Sequence, residues 1–329
     1  MNKPFYILFF VLILSVFQYK YSIAQTNLVY NGDFELFSTC PSGTGGLSDC
    51  TGWLNPTTAT PDYFNACAGA SIVGIPNNAG GSQNAFSGDG YAGFIAFEYV
   101  PGPTSWWFEY IQGEFIQPLL AGHKYELTFY VSCGEGYADI AISKIGAYSS
   151  VLPISRTDSN PFLLIPQVVN SNGVISDTAG WTKISGTFIA SGNEQFITLG
   201  YFSDTIITDS LRIQTFSFNP TSTPRTYYYV DGINVIDVTP EINIPNIFSP
   251  NGDGVNDFLD ISNFGLSEIS FCIFNRWGIK VFETNKVGDK WDGRTTSGIS
   301  CNDGTYFYVL KAKDDKTNYD LKGFIQLLR

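Results

Sequence analysis

Residues 125–131, with the sequence YELTFYV, carry an apolar side chain at every second position. On an extended strand this alternation puts the apolar side chains on one face. Five further runs have the character of strands, each bounded by clusters of Gly, Asn, Asp or Pro: residues 196–202, 227–230, 269–274, 305–311 and 323–328. No window of ten or more residues has a convincing helical period. The sequence therefore predicts an all-β protein built as two β-sandwiches, one in each half of the chain.

Composition and length agree with this fold class, and they argue against several classes of function. A chain of 329 residues suggests two domains, and its 16% aromatic residues suit β-structure. The net charge of −12 argues against nucleic acid as a partner. The chain has one histidine, His123, in a predicted turn. A multi-histidine zinc site is thereby excluded, and a Ser-His-Asp or Cys-His enzyme would have to use His123.

The net negative charge is concentrated in the first part of the chain, and the point where it changes indicates a domain boundary. The net charge is about −13 over residues 25–243 but only about −1 over residues 244–329. The change coincides with a short polar stretch that contains Pro240. We predict a first domain over residues 26–238, a linker over 239–242 and a second domain over 243–329.

The N-terminus has the features of a secretory signal peptide. Lys3 precedes residues 5–17, a run that is apolar except for Ser15, and residues 22–24 form a small-x-small cleavage site. We predict cleavage after Ala24, so that residues 1–24 are removed. No later stretch is apolar enough to cross a bilayer, and the mature protein is expected to be exported.

Export permits disulfides among the six cysteines. Cys272 and Cys301 are the two cysteines of the second domain, and we predict that they pair with each other. Connectivity cannot be read from sequence for the other four, which are Cys40, Cys50, Cys67 and Cys133. Zinc binding is the alternative, although no CxxC pair occurs.

The second domain contains a series of unusual short motifs. They are IPNIFSPNGDGVND at 244–257, FNRWG at 274–278, VFE at 281–283, WDG at 291–293, DGTYFY at 303–308 and KGFIQLLR at 322–329. This series resembles the gliding-motility-associated C-terminal domain, the type B sorting domain of the type IX secretion system. The resemblance implies a recognition element that directs cargo through the outer-membrane translocon of a Gram-negative bacterium, to be released or kept at the surface. A final strand suits this task, because its backbone can pair at a sheet edge.

One loop of this domain has a spacing of oxygen-bearing side chains that suits a hard cation. Asn251, Asp253 and Asp257 lie on a glycine-rich stretch, as calcium ligands often do. The loop lacks the full spacing of an EF-hand. A metal-free Asx-turn loop is the alternative reading.

The first domain opens with NGDFE at 31–35, continues with Trp53 and closes with YYVDGINV at 228–235. These features resemble the galactose-binding-like jelly rolls found among carbohydrate-binding modules. The resemblance implies that the first and last strands meet and that a structural calcium lies there, held by Glu35 and Asp231. Asp33 and Asp89 are lesser candidates. The alternative is that these acids cap solvated strand ends.

Sugar-binding modules stack pyranose rings on exposed aromatic side chains. The candidates in the first domain are Trp53, Trp106, Trp107, Tyr110 and Trp181. Core packing is the alternative for each, and only one of Trp106 and Trp107 can face the core if both lie on a strand.

With these resemblances, the expected fold is an N-terminal jelly-roll β-sandwich followed by a C-terminal immunoglobulin-like β-sandwich. We therefore expect an exported, non-catalytic binding protein whose jelly roll binds glycan and whose second domain is recognised by the type IX translocon. A structural or adhesive surface protein that contacts other proteins is the first alternative. A polysaccharide-degrading enzyme is the second, since it needs two suitably spaced carboxylates. Nothing in the spacing of the acidic residues singles out such a pair.

Overall fold

The computed structural model describes residues 26–99, 106–203, 209–213, 224–239, 242, 244–261, 266–313 and 318–329. The predicted signal peptide and much of the predicted linker lie outside these residues. Over the described ranges the regular elements are strands, apart from two short 3₁₀ turns at Leu47–Asp49 and Ala66–Ala68. The all-β prediction is confirmed. No helix of the described residues has the length and apolar character needed to cross a membrane.

Fifteen described strands lie between residues 53 and 237. They are β1 Trp53–Leu54, β2 Asp62–Asn65, β3 Asn77–Asn78, β4 Gly81–Ser82, β5 Gly90–Tyr99, β6 Trp106–Trp107, β7 Ile111–Glu114, β8 Lys124–Cys133, β9 Ile140–Ile142, β10 Gly146–Ser150, β11 Val168–Val169, β12 Thr182–Ile189, β13 Phe196–Gly200, β14 Ser210–Arg212 and β15 Arg225–Asp237. Seven more follow: β16 Ile247–Phe248, β17 Leu259–Asp260, β18 Glu268–Phe274, β19 Lys280–Thr284, β20 Lys290–Trp291, β21 Gly304–Lys313 and β22 Asn318–Leu327.

The N-terminal strands form a sandwich of two antiparallel sheets. One sheet has the order β1-β7-β13-β10-β11, and the other has the order β12-β8-β15-β5-β2 with β6 paired to β5. The predicted strand at 125–131 becomes β8, whose inward residues Tyr125, Leu127 and Phe129 are at most 2% exposed. The closing motif falls on β15, which lies between β8 and β5. The jelly-roll prediction is confirmed.

The C-terminal strands form a second structure with its own core. Its main sheet has the order β16-β22-β21-β18-β19, and β17 pairs with β20. Phe271, Ile273 and Leu310 point into a core that also contains Trp291. The final strand β22 is not a simple edge strand, because Gln326 and Leu327 pair in parallel with β16. Its other side pairs with β21 over ten residues.

Cysteine pairing differs from the sequence expectation. Cys40 and Cys67 form a disulfide, with their Cα atoms 6.1 Å apart. The predicted Cys272–Cys301 disulfide is wrong, because both thiols are free. Cys272 occupies the half-exposed face of β18, whereas Cys301 packs in the core on the opposite side of that sheet. Alternation along β18 therefore separates the two sulfur atoms.

Non-reducing peptide mapping should find the Cys40–Cys67 crosslink and free thiols at the other four cysteines. Cys40→Ser should lower the free energy of unfolding by about 2–4 kcal/mol, because it frees a loop that has little core of its own. The matched control is Cys272→Ser, which replaces a free, half-exposed thiol and should leave stability unchanged. A Cys272–Cys301 crosslink in the map would contradict the structure.

Candidate functional site

The two ends of the N-terminal sandwich meet, as the jelly-roll resemblance implies. The amide of Leu28 donates to the carbonyl of Val235 at 2.8 Å, and Ile233 donates to Gly32 at 2.8 Å. The Asn27 side chain also bonds to both Ile233 and Val235. These bonds bring the opening motif beside the closing strand β15.

Glu35 and Asp231 bind one loop, residues 86–90. Asp231 Oδ2 accepts from the amides of Phe86 at 2.9 Å and Ser87 at 3.0 Å. Glu35 Oε1 accepts from the amides of Asp89 at 2.8 Å and Gly90 at 2.9 Å. The intervening Gly88 has a φ of +61°, and a Cβ there would lie 2.3 Å from the Glu35 carboxyl group. Only glycine allows the loop to approach this carboxylate.

Asp231 is a fully buried carboxylate. Burial raises its pKa to about 7, and the charge of Glu35 adds to the increase. No Lys, Arg or His forms an ion pair with Asp231 anywhere in the described ranges, so its charge is offset by three backbone amides alone. Both oxygens of Asp231 thus already accept bonds from amides, and a cation such as Ca²⁺ would have to bind beside these donors or replace them.

The other predicted calcium ligands are not drawn into this site. The side chains of Asp33 and Asp89 are exposed, and Asp89 contributes its backbone amide to the Glu35 contact. Within the described part of the chain, no three His, Cys, Asp or Glu side chains are grouped so that they could hold a metal. A cation between Glu35 and Asp231 would therefore need backbone carbonyls or water as its remaining ligands.

Two of the five predicted ligand-binding aromatics are core residues, and these predictions are wrong. Trp53 is 1% exposed, its ring lies 4.7 Å from that of Phe34, and its Nε1 donates to the Asn31 carbonyl. Tyr110 is fully buried, and its hydroxyl accepts from the amide of Phe162. Neither ring can reach a ligand, because each fills space between the sheets.

Trp106 and Trp107 are both half-buried. Trp106 packs against the core and Trp107 is not among the residues that do, in agreement with the expectation that only one of them faces the core. Trp106 packs on Phe97 and Tyr99, with ring centroids about 5 Å apart. Trp107 donates from Nε1 to Glu109, at 3.2 Å. Glu109 itself is buried, which raises its pKa to about 7, and it also accepts from the amides of Thr60 and Ile95. These hydrogen bonds connect the buried Glu109 to Thr60, Ile95 and Trp107.

Trp181 belongs to an aromatic patch that sequence reasoning did not find. The patch consists of Phe86, Tyr130 and Trp181. Phe86 is 42% exposed and stacks on Tyr130, with centroids 3.6 Å apart and planes 17° apart. Trp181 stands edge-on to Phe86 at 6.3 Å. Phe86 is also a residue whose amide binds Asp231, so the patch adjoins the buried carboxylate.

The patch depends on a glycine in β15. Gly232 has a φ of +61°, and a Cβ there would lie 2.9 Å from Phe86 and 3.1 Å from Tyr130. The pairing of β15 with β8 shifts register between Asp231 and Asn234. The closing motif therefore supplies both the carboxylate and the space for the stacked rings. Nothing in the local sequence around Phe86 or Tyr130 marks them as surface partners.

In the C-terminal structure the FNRWG motif forms the turn between β18 and β19. Trp277 is 71% exposed, and the Arg276 guanidinium lies 4.6 Å from the centre of its ring. Trp291 of the WDG motif is buried instead, and its Nε1 donates to the Arg294 carbonyl. One tryptophan thus builds the core, while the other faces solvent.

Residues 242–327 match the family model described as the CHU_C type IX secretion signal domain. The C-terminal region is a type IX secretion signal domain. Proteins with this signal are secreted or held at the cell surface after export through the outer membrane, and so is this one. No curated protein matches the chain.

Several solved structures of bacterial proteins are weakly similar to this chain. The adhesin domain of Epf from Streptococcus pyogenes is 12% identical, with a TM-score of 0.27, covering 72% of this chain and 76% of that one. The K1 cleaved adhesin domain of Lys-gingipain from Porphyromonas gingivalis is 14% identical, with a TM-score of 0.29 and coverage of 57% and 91%. The CBM22-1–GH10 modules of xylanase 10B from Clostridium thermocellum are 12% identical, with a TM-score of 0.30 and coverage of 68% and 32%. These scores are too low to carry a functional argument.

The loop at 251–257 of the secretion signal domain is closed by its own hydrogen bonds. Asp257 accepts from the amides of Gly252 and Gly254, at 2.7 and 2.8 Å. Asp253 accepts from the amide of Val255, and Asn251 accepts from Asp253. These are the bonds of the metal-free Asx-turn alternative, and they account for the loop conformation without a cation.

Proposed function

We propose that this protein is a non-catalytic binding protein, exported by the type IX secretion system, whose N-terminal domain at about residues 26–238 binds glycan. The linker and the secretion signal domain follow at 239–242 and 243–329. The aromatic patch is the observation that supports glycan binding. Phe86 is exposed and Tyr130 and Trp181 are half-buried, and solvent-accessible aromatic rings beside polar groups suit the stacking of a pyranose ring.

The surroundings of the patch supply partners for sugar hydroxyl groups. Lys183 of β12 is exposed and pairs in register with Tyr130. The carbonyl of Asn84 lies beside the patch and accepts from Trp181 Nε1 at 3.0 Å. Apolar rings with a small number of polar groups nearby are typical of a ligand site that recognises a small polar molecule.

The glycan proposal predicts that Phe86→Ala and Trp181→Ala each weaken binding by about 1–3 kcal/mol, because an anchoring ring is lost. The measurement is a glycan array with the wild-type protein, followed by titration of the best glycan into each variant. Phe37→Ala is the matched control, since Phe37 is 40% exposed, close to the 42% of Phe86.

Three outcomes would contradict this proposal. Equal binding by all variants would show that the patch is not the platform. Absence of glycan binding, together with binding to a host or bacterial protein, would favour an adhesive role. Cleavage of the bound polysaccharide would show that the protein is an enzyme.

We also propose that Glu35 and Asp231 hold a structural Ca²⁺ at the junction of the two ends of the domain. The buried charge of Asp231 and its position beside Glu35 support this proposal. A cation there would offset the charge of two carboxylates that bind the same loop, and that loop carries Phe86 of the aromatic patch. Calcium would therefore order the proposed glycan site.

Removal of Ca²⁺ by EDTA should lower the melting temperature of the full chain, because a ligand that binds only the native state stabilises it, by about 2.7 kcal/mol at a hundredfold excess over Kd. Titration of Ca²⁺ alone should show one site that Glu35→Gln weakens. Asp33→Asn is the control, since this exposed carboxylate lies two positions away and should not affect binding. An unchanged melting temperature in excess EDTA would rule out the site.

The sorting role predicts that residues 243–329, placed behind a signal peptide and an unrelated passenger, carry the passenger to the cell exterior. The physical basis is that these residues contain a complete hydrophobic core and can be recognised as a folded unit. Fractionation of a host with the type IX apparatus provides the measurement, and the same host without its translocon provides the control. A passenger that stays in the periplasm of the complete host would contradict the proposal.

A further inference from the structure

The outer face of the main C-terminal sheet carries a row of phenylalanines. Phe274 of β18 lies opposite Phe307 of β21, which in turn lies opposite Phe324 of β22. Phe307 is 49% exposed and Phe324 is 55% exposed. Their chain neighbours Ile273, Tyr306 and Ile325 fill the core on the other face. A row of apolar rings on the solvent side of a sheet marks an interaction surface.

This row ends at a stretch of β22 whose outer edge no described strand covers. Strand β16 covers β22 only at Gln326 and Leu327. The amide of Gln326 donates to Asn246 at 2.7 Å, so it points away from β21. The antiparallel pairing of β21 with β22 is continuous, so the backbone N–H and C=O groups of every second residue of β22 point to the same side as those of Gln326. Asp320, Lys322 and Phe324 therefore present backbone amides and carbonyls to a side on which no described strand pairs with them.

The described residues of β21 and β22 include three lysines, one of which pairs with Glu268, and a single aspartate. Lys311 lies opposite Asp320, but the carboxylate of Asp320 is 4.0 Å from Lys322, so two lysines share one acid. The chain as a whole has a net charge of −12, so a positive region here is a local feature.

We propose that an extended segment of the type IX recognition machinery, apolar with acidic residues, adds as a strand to the open edge of β22. This inference rests on the sorting role proposed above and locates the surface that is recognised. Backbone bonds to Asp320, Lys322 and Phe324 fix the register of the added strand. An apolar side chain opposite Phe324 extends the phenylalanine row, and a carboxylate on the added strand meets Lys322.

The test of the backbone contact uses the full chain in a host with the type IX apparatus. Lys322→Pro removes an amide that points to the open side and leaves the ladder with β21 intact, since proline is accepted on sheet edges. The exported fraction should fall by roughly tenfold, which corresponds to about 1.4 kcal/mol of binding, and the protein should accumulate in the periplasm. Lys322→Ala keeps the amide but removes the charge, so it should reduce export less than Lys322→Pro does, and the difference between the two variants measures the backbone contact.

A second variant tests the side-chain contact and does not depend on the effect of proline on folding. Phe307→Ser with Phe324→Ser removes two exposed rings and should reduce export to a similar degree. The control is Phe258→Ser, because Phe258 is 54% exposed and lies outside the five-stranded sheet. Thermal melting of the purified proteins shows which variants remain folded.

The outcomes separate this inference from the sorting role itself. Export of the passenger fusion, together with wild-type export of the folded Lys322→Pro and double serine variants, would overturn the edge proposal and leave the sorting role standing. Failure of the passenger fusion would overturn both. A dimer of the purified wild-type chain that Lys322→Pro abolishes would assign the edge to a second copy of this protein and overturn the proposed partner. The expected result is a loss of export in both variants that exceeds the loss in Lys322→Ala, with export retained in Phe258→Ser.

Discussion

The pairing of β15 with β8 on one side and β5 on the other is the interaction on which the N-terminal sandwich depends. β15 is central in its sheet, and its residues from Thr226 to Asp231 are fully or almost fully buried. The opening segment of the domain also bonds to it through Leu28 and Asn27. A strand buried in this way must satisfy each polar group internally, because an unpaired buried group costs several kcal/mol. Its tyrosines meet this demand, as when Tyr229 donates to Asn78 Oδ1.

The candidate site arises where this central strand departs from regular geometry. The register shift after Asp231 and the positive φ of Gly232 open space beside β8. The loop at 86–90 enters that space, bonds to Asp231 and Glu35, and lays Phe86 on Tyr130. Irregularities of this kind re-aim side chains at functional sites. A single local change in the backbone thus produces a buried charge and an exposed aromatic surface side by side.

In the secretion signal domain, some motif residues form the hydrophobic core and others are exposed, where they can contact a partner. Trp291 packs against Phe248 with ring centroids 5.1 Å apart and holds the core, whereas Trp277 and the outer phenylalanines face solvent. Alternation along β18, β21 and β22 makes this division possible, because one strand supplies both faces of the sheet. The domain can therefore be stable by itself and still present a surface whose apolar character serves recognition.

Local pattern was enough to determine the fold class and the identity of the C-terminal domain. Period-two alternation predicted β8, and strand-like runs bounded by clusters of Gly, Asn, Asp or Pro predicted β13, β15, β18, β21 and β22. The opening and closing motifs also predicted that the two ends of the first domain meet and that Glu35 lies near Asp231.

Tertiary structure alone decided which aromatic rings are exposed. Trp53 and Tyr110 look like Trp181 in sequence, yet the first two fill the space between the sheets. The same holds for Cys272 and Cys301, which lie on opposite sides of one sheet, and for Phe86, which gains its partner Tyr130 from a distant strand. Such contacts depend on which distant segments the fold brings together, and a local sequence pattern contains no information about this.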